Sequence, residues 1–186
     1  MPKIGINITL KKSFKEVEFN GCLFRCYESG KMERRSLGCG GYGKEGEWLA
    51  CDKNKPNRRG YVRLKINYKV YFLHRIVYLA FNPTFDISNP KALIDHIDGD
   101  TLNNRIENLR EATHAQNLCN AKIQKNNKIG VKNICQTSRY WRVAITKDGK
   151  RVVNKSFRKS DYTLDDVITF RNAKLLVHHG EFARLD

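Results

Sequence analysis

Residues 92–117, "ALIDHIDGDTLNNRIENLREATHAQN", set a carboxylate beside an imidazole at Asp95 and His96 and follow them with carboxamides at Asn108 and Asn117. A carboxylate and an amide oxygen are hard donors suited to Mg2+ or another divalent ion, and a neighbouring histidine can take a proton from water without itself binding metal. Such a set suits phosphodiester hydrolysis. The ion neutralises charge on the scissile phosphate and the leaving oxygen, while the base activates the nucleophile. A calcium loop of the EF-hand type is excluded, because from Asp95 or Asp98 the alternate ligand positions fall on Ile97 or Leu102. For Asp98, Asp100, Asn103 and Asn104 the expectation is ordinary surface-turn chemistry, and for His114 a solvated position at a helix start.

These side chains need elements to hold them. "ALIDHI" is apolar and β-prone up to Asp95 and His96, "DGD" and "LNNR" are turn chemistry, and Thr113 with Gln116 offers a capping box for a helix running through Asn117. That order is strand, loop, helix, and it lets Asn117 lean back toward the strand end. Upstream, "GYVRLKINYKVYFLHRIVYLAF" reads as a hairpin turning near Asn67, then a short helix packed through Ile76, Val77, Leu79 and Ala80 and stopped by Pro83. The first fifty residues read as short strands and turns, with "EVEF" and "CLFRCYES" as strands and "GCGGYGKEG" as a loop. Downstream, the basic segment from Lys122 to Gly130 reads as a linker. "GVKNI" and the strands flanking "KDGK" then give a three-stranded antiparallel sheet, followed by an amphipathic helix carrying Leu164, Val167, Ile168 and Leu175 on one stripe. Alternation sends Trp141, Val143 and Ile145 to the helix side and Arg142, Ala144 and Thr146 outward. Lys132 and Arg151 are expected to join Arg142 in a basic surface that a DNA groove accepts.

Composition points to the same partner. The chain has 35 Lys and Arg against 19 Asp and Glu, a formal charge of +16, which favours a polyanion and displacement of counterions from phosphates. No apolar run approaches the ~20 residues of a spanning helix, and the start lacks the apolar core of a signal peptide. The expectation is an intracellular, cytoplasmic or nucleoid-associated protein that is not secreted, binds double-stranded DNA, contacts no membrane and has no obligate protein partner. Cys22, Cys26, Cys39 and Cys51 are spaced C-x3-C and C-x11-C, outside the tight knuckles of a confident structural Zn2+ site, so free thiols are expected there.

Residues 60–120 resemble the HNH nucleases of the phage homing endonuclease branch, through "HRIVYLAF", "IDHIDGD" and "NNRIENLR". The resemblance implies a ββα-metal fold with His96 as general base, Asp95 and Asn117 as metal ligands, and Asn108 holding the base and its loop. It implies Mg2+ or Mn2+ as cofactor. His74 and Arg75 recur at this place in the family; a core or helix-end role is expected for His74, with phosphate contact by Arg75 as a DNA-binding alternative. The last third is similar to the plant ethylene-response-factor DNA-binding domain, through "GVK", "WRVAI", "KRVVNKSF" and "HGEFARLD". That likeness implies groove-facing positions at Lys132, Arg142 and Arg151. Plant members carry tryptophans on the outward surface where this chain has Val153, so no target sequence carries over.

Together these give an α+β chain, a ββα-metal nuclease core plus a C-terminal three-stranded antiparallel sheet backed by one helix. The expected division is 1–55 as an N-terminal strand-rich region, 56–121 as the nuclease domain, 122–129 as a basic linker and 130–186 as the DNA-binding domain. The expected function is site-specific, Mg2+-dependent DNA cleavage, a monomer nicking one strand. The alternatives are a non-cleaving sequence-specific DNA-binding regulator on the same fold and a binder of structured RNA, since phosphates alone do not separate the two polymers.

Overall fold

A computed structural model of the chain describes residues 14–38, 43–123 and 126–185. Cys39 and residues 124–125 lie outside them. The described residues divide into two compact units, which fall within residues 1–96 and 100–110 and within residues 97–99 and 111–186.

In the first unit, β1 (Phe14–Phe19), β2 (Cys22–Tyr27), β3 (Met32–Arg35) and β4 (Trp48–Ala50) form an antiparallel sheet in that order. Asn20 and Gly21, both at positive φ, close the first hairpin as the Asn-Gly pair favours. One face of β2 and β3 is apolar, with Phe24, Cys26 and Met32 fully buried and Cys22 and Cys51 nearly so. The second hairpin, β5 (Arg63–Ile66) and β6 (Lys69–Phe72), turns at Asn67 and Tyr68. Phe72 then leads into α1 (Leu73–Phe81), which ends at Asn82 ahead of Pro83. Leu73, Ile76 and Val77 of α1 join Leu64, Ile66, Phe24 and Met32 in one core. Each such side chain, fully buried, contributes on the order of 1.5–3 kcal/mol.

This shared core changes the expected division. Residues 14–51 and 62–94 pack as one body, because neither the small sheet nor the hairpin and helix buries its apolar face alone. The boundary expected at residue 121 also moves. The helix α2 (His114–Asn120) belongs to the second unit, where Lys132 Nζ and Arg184 Nη1 bond carbonyls of its last turn. Three of the four cysteines considered for zinc are core fillers. Burial, then the neighbouring Cys51, pushes the Cys26 thiol up to about 12, and burial pushes that of Cys51 up to about 11. Both stay protonated, the form that does not ligate metal.

Two strands frame the segment of interest, β7 (Leu93–His96) and a short β8 (Leu109–Ala112) that pairs with it. A 3-10 turn at Ile106–Asn108 precedes β8. The second unit contains β9 (Ile134–Gln136), β10 (Tyr140–Lys147) and β11 (Lys150–Arg158) in the order β11-β10-β9, and α3 (Leu164–His179). Val143 and Ile145 are fully buried with Val167 and Leu175 of α3, as strand alternation predicts. Val153 is a correction. It pairs with Ile145 on the buried face, because the register shifts between Ile145 and Thr146; Val152, 39 % exposed, is the outward residue. Arg171 also lies on the stripe of α3, fully buried, donating to the carbonyls of Lys132, Arg184 and Leu185. Within the segment read as a linker, the Asn127 carboxamide closes a turn onto Ile129, Gly130 and Val131.

Gly30, in the β2–β3 turn, is buried at φ +81, and a Cβ there would lie 2.4 Å from the Asn104 carbonyl carbon. Gly30→Ala is expected to destabilise the chain by roughly 2 kcal/mol or more, from the left-handed conformation together with the backbone clash. Urea unfolding followed by tryptophan fluorescence measures it.

Candidate active site

The site begins at the end of β7. Ile94 points into the apolar core and the next two residues carry Asp95 and His96, both buried, at 4 % and 3 % exposure. A buried carboxylate needs a charged partner. It has one in Arg110 on β8, whose Nε and Nη2 donate to Asp95 Oδ2 at 3.1 and 2.9 Å. The ion pair sits one residue before the imidazole and fixes the strand end.

His96 is held from several sides. Its Nε2 lies 3.1 Å from the Asn104 carboxamide oxygen, its ring meets that of His74 edge-on at 5.0 Å between centroids, and Tyr61 lies at 6.0 Å. His74, expected in a core role, is buried at the start of α1 and stacked on Phe72. Burial, then the adjacent His96 and Arg75, pushes the His74 imidazole down to about 3, so it stays neutral.

The loop from residue 97 to 108 is pinned at several points. Asn108, buried, donates Nδ2 to the Asn103 carbonyl at 2.8 Å. The Ile106 amide donates to the Glu28 carbonyl at 3.0 Å, and Gly30 abuts the 104–105 backbone. Asp100 accepts from the Leu102 amide, and Asp98 and Asp100 are exposed, as expected of turn residues. Asn104 departs from that expectation: it is 7 % exposed and touches the imidazole. The signal for it was slight, a second asparagine in "LNNR". Asn117 lies on α2, half-buried, behind the capping box of Thr113 and Gln116. Asp95, His96 and Asn108 thus share the first unit and Asn117 belongs to the second. Among the described residues no three His, Cys, Asp or Glu side chains converge as a metal cluster.

The DNA-facing expectations fare unevenly. Arg142 and Arg151 are exposed on the sheet of the second unit, Arg142 donating Nε to Asn154 Oδ1 at 2.8 Å. Lys132 is a correction. It precedes β9, and its ammonium donates to the Leu118, Cys119 and Ala121 carbonyls at the end of α2, where unsatisfied carbonyls and the helix dipole attract a cation. Arg75 is likewise occupied, donating to the carbonyls of Ala92, Ile87 and Asn89 and lying over the Phe85 ring, so it braces the loop after α1.

Residues 71–119 match the family model described as HNH endonuclease. Protein 3.8 of Escherichia phage T7 is 37% identical over 93 residues, which cover 49% of this chain and 73% of that protein. A solved structure of the HNH homing endonuclease I-HmuI, described for DNA binding and cleavage, aligns over 84% of each chain with 20% identity and a TM-score of 0.38.

Two outcomes test the electrostatics. Arg110→Met is expected to cost about 3–5 kcal/mol by stranding a buried carboxylate, whereas Asp95→Leu combined with Arg110→Met recovers most of that stability; denaturant unfolding of the single and double variants measures both. His74 gives the second. Its folded pKa lies below the unfolded value near 6.5, so its neutral form favours the fold fully above pH 6.5. That advantage is lost as pH falls toward 3, at up to about 1.4 kcal/mol per pH unit. Unfolding followed from pH 7 to pH 4 is expected to show a shallower loss for His74→Phe.

Proposed function

Since the chain belongs to the HNH endonuclease family, we propose that it is a site-specific, Mg2+-dependent DNA endonuclease of the homing type. The observation that carries this reading is the buried pairing at the end of β7: His96 against the Asn104 carboxamide, with Asp95 beside it, inside the segment that matches the family.

A carboxamide oxygen only accepts, so Nε2 of His96 bears the proton and Nδ1 is the acceptor nitrogen of the ring. His96 then takes the proton of the attacking water as general base. Tyr61, His74 and Asn104 hold the ring plane, and Asn108 holds the loop through Asn103. The family resemblance assigns Asp95 and Asn117 as metal ligands, and a carboxylate and a carboxamide oxygen are hard donors of the kind a divalent cation binds along with water and phosphate. When bound, Mg2+ or Mn2+ would neutralise charge on the scissile phosphate and the leaving oxygen. Arg110 holds the Asp95 carboxylate in place.

Recognition falls to the second unit. Its exposed sheet face presents Arg142, Asn154, Arg151 and Val152, a mixture of hydrogen-bonding and apolar groups suited to base edges. A module that reads sequence raises the local concentration of the cutting site at the target. One active site per chain implies that a monomer nicks one strand.

Supercoiled DNA carrying candidate target regions, incubated with protein and Mg2+, tests the reading. Open circles are expected, abolished by EDTA and reduced about 10²–10⁴-fold by His96→Ala with DNA affinity unchanged. Tight binding with no cleavage in Mg2+ or Mn2+ would instead identify a regulator built on the nuclease fold.

A further inference from the structure

Among the described residues, three hairpins turn through two residues at positive φ: Asn20–Gly21, Asp148–Gly149 and Asn67–Tyr68. Such turns select glycine at the second place, and the first two have it. At the third a tyrosine sits at φ 64, a conformation that strains a bulky residue. Packing does not offset the strain, because Tyr68 is 92 % exposed. Turn chemistry and burial both argue against tyrosine here.

The strand that follows extends the anomaly. Val70 and Phe72 alternate with the inward Tyr71 and are 58 % and 36 % exposed. Across the hairpin, Lys65 pairs with Val70 and Arg63 with Phe72, both cations exposed while Leu64 and Ile66 fill the core. The outer face therefore has an apolar column beside a cationic column, and the Lys65 ammonium lies 5.5 Å from the centre of the Tyr68 ring. At its inner end the apolar column reaches the candidate site: Phe72 stacks on His74, which meets His96.

We propose that the β5–β6 hairpin is a DNA wedge, in which Tyr68 lays its ring against base faces beside the cleaved bond while Arg63 and Lys65 hold the flanking phosphates. This rests on the endonuclease reading. Aromatic rings stack on any base, and apolar side chains inserted at a base step unstack and bend the duplex. Positive charge beside the column matches a polyanion. It disfavours a second copy of the chain, since symmetric pairing of this face brings Arg63 and Lys65 of both copies together. Strand rise separates Tyr68 from Phe72 by about 13 Å, so the disturbed step lies within roughly four base-pair steps of the cut.

The test uses the full chain carrying His96→Ala, with and without Tyr68→Gly or Tyr68→Trp, on a labelled 40-base-pair duplex and on relaxed closed-circular plasmid. Tyr68→Gly is expected to keep or raise the thermal midpoint, to weaken duplex binding about tenfold, and to leave the salt dependence of binding unchanged because no phosphate contact is lost. It is also expected to abolish the linking-number change that the parent produces when the plasmid is treated with topoisomerase. Tyr68→Trp keeps both. Equal affinity and equal linking-number change for Tyr68→Gly and its parent would overturn the wedge and leave the endonuclease reading standing. Loss of self-association by Tyr68→Gly with DNA binding intact would likewise overturn it, in favour of a second copy. A parent that binds neither DNA, together with an unsubstituted chain that cuts neither, would overturn both.

Discussion

The arrangement turns on one buried ion pair. A carboxylate at the end of β7 is taken out of water, where an unpartnered charge is intolerable, and the Arg110 guanidinium on β8 answers it at Oδ2. That requirement dictates a strand opposite β7 carrying an arginine at one register, and so it dictates how the intervening loop closes. Once closed, the loop brings Asn104 to His96 and buries Asn108 against its own backbone. The β2–β3 turn completes the enclosure, with Gly30 pressed on the 104–105 backbone. A sheet far upstream in sequence therefore sets the position of an imidazole.

The core has little to spare. In a body this small, cysteines serve as compact apolar filler, as the raised thiol pKa values of Cys26 and Cys51 reflect. His74 is pressed into similar service, neutral, stacked on Phe72 and edge-on to His96. Polar residues that look available for ligands in the sequence are instead spent on closure. Arg75 ties the loop after α1, Lys132 caps α2, and Arg171 draws the backbone at Lys132, Arg184 and Leu185 onto α3.

Local signals in the chain were legible where one short-range rule decides the outcome. The Thr113–Gln116 capping box, the turn at Asn67, the end of α1 before Pro83 and the inward faces of Val143 and Ile145 follow from neighbours a few residues apart. What escaped reading depends on register and on partners distant in sequence. Four residues of "LREA" are too short to announce β8, and without β8 nothing links Arg110 to Asp95. A single bulge moved Val153 from the outer to the inner face. Arg171 falls four residues from both Val167 and Leu175, on the buried stripe, but a charge there reads as a break in the pattern until its carbonyl acceptors are known.

The tie between Arg171 and the carbonyls of Arg184 and Leu185 bears on the order in which the protein matures on the ribosome. The first unit is complete once Arg110 has been added, so it can close while the rest is still being translated. The second unit cannot bury its arginine until Leu185 has been added, roughly 4–15 s later at ordinary synthesis rates. A ribosome stalled in that interval would leave a nascent chain whose first body is finished and whose second still lacks its closing contacts.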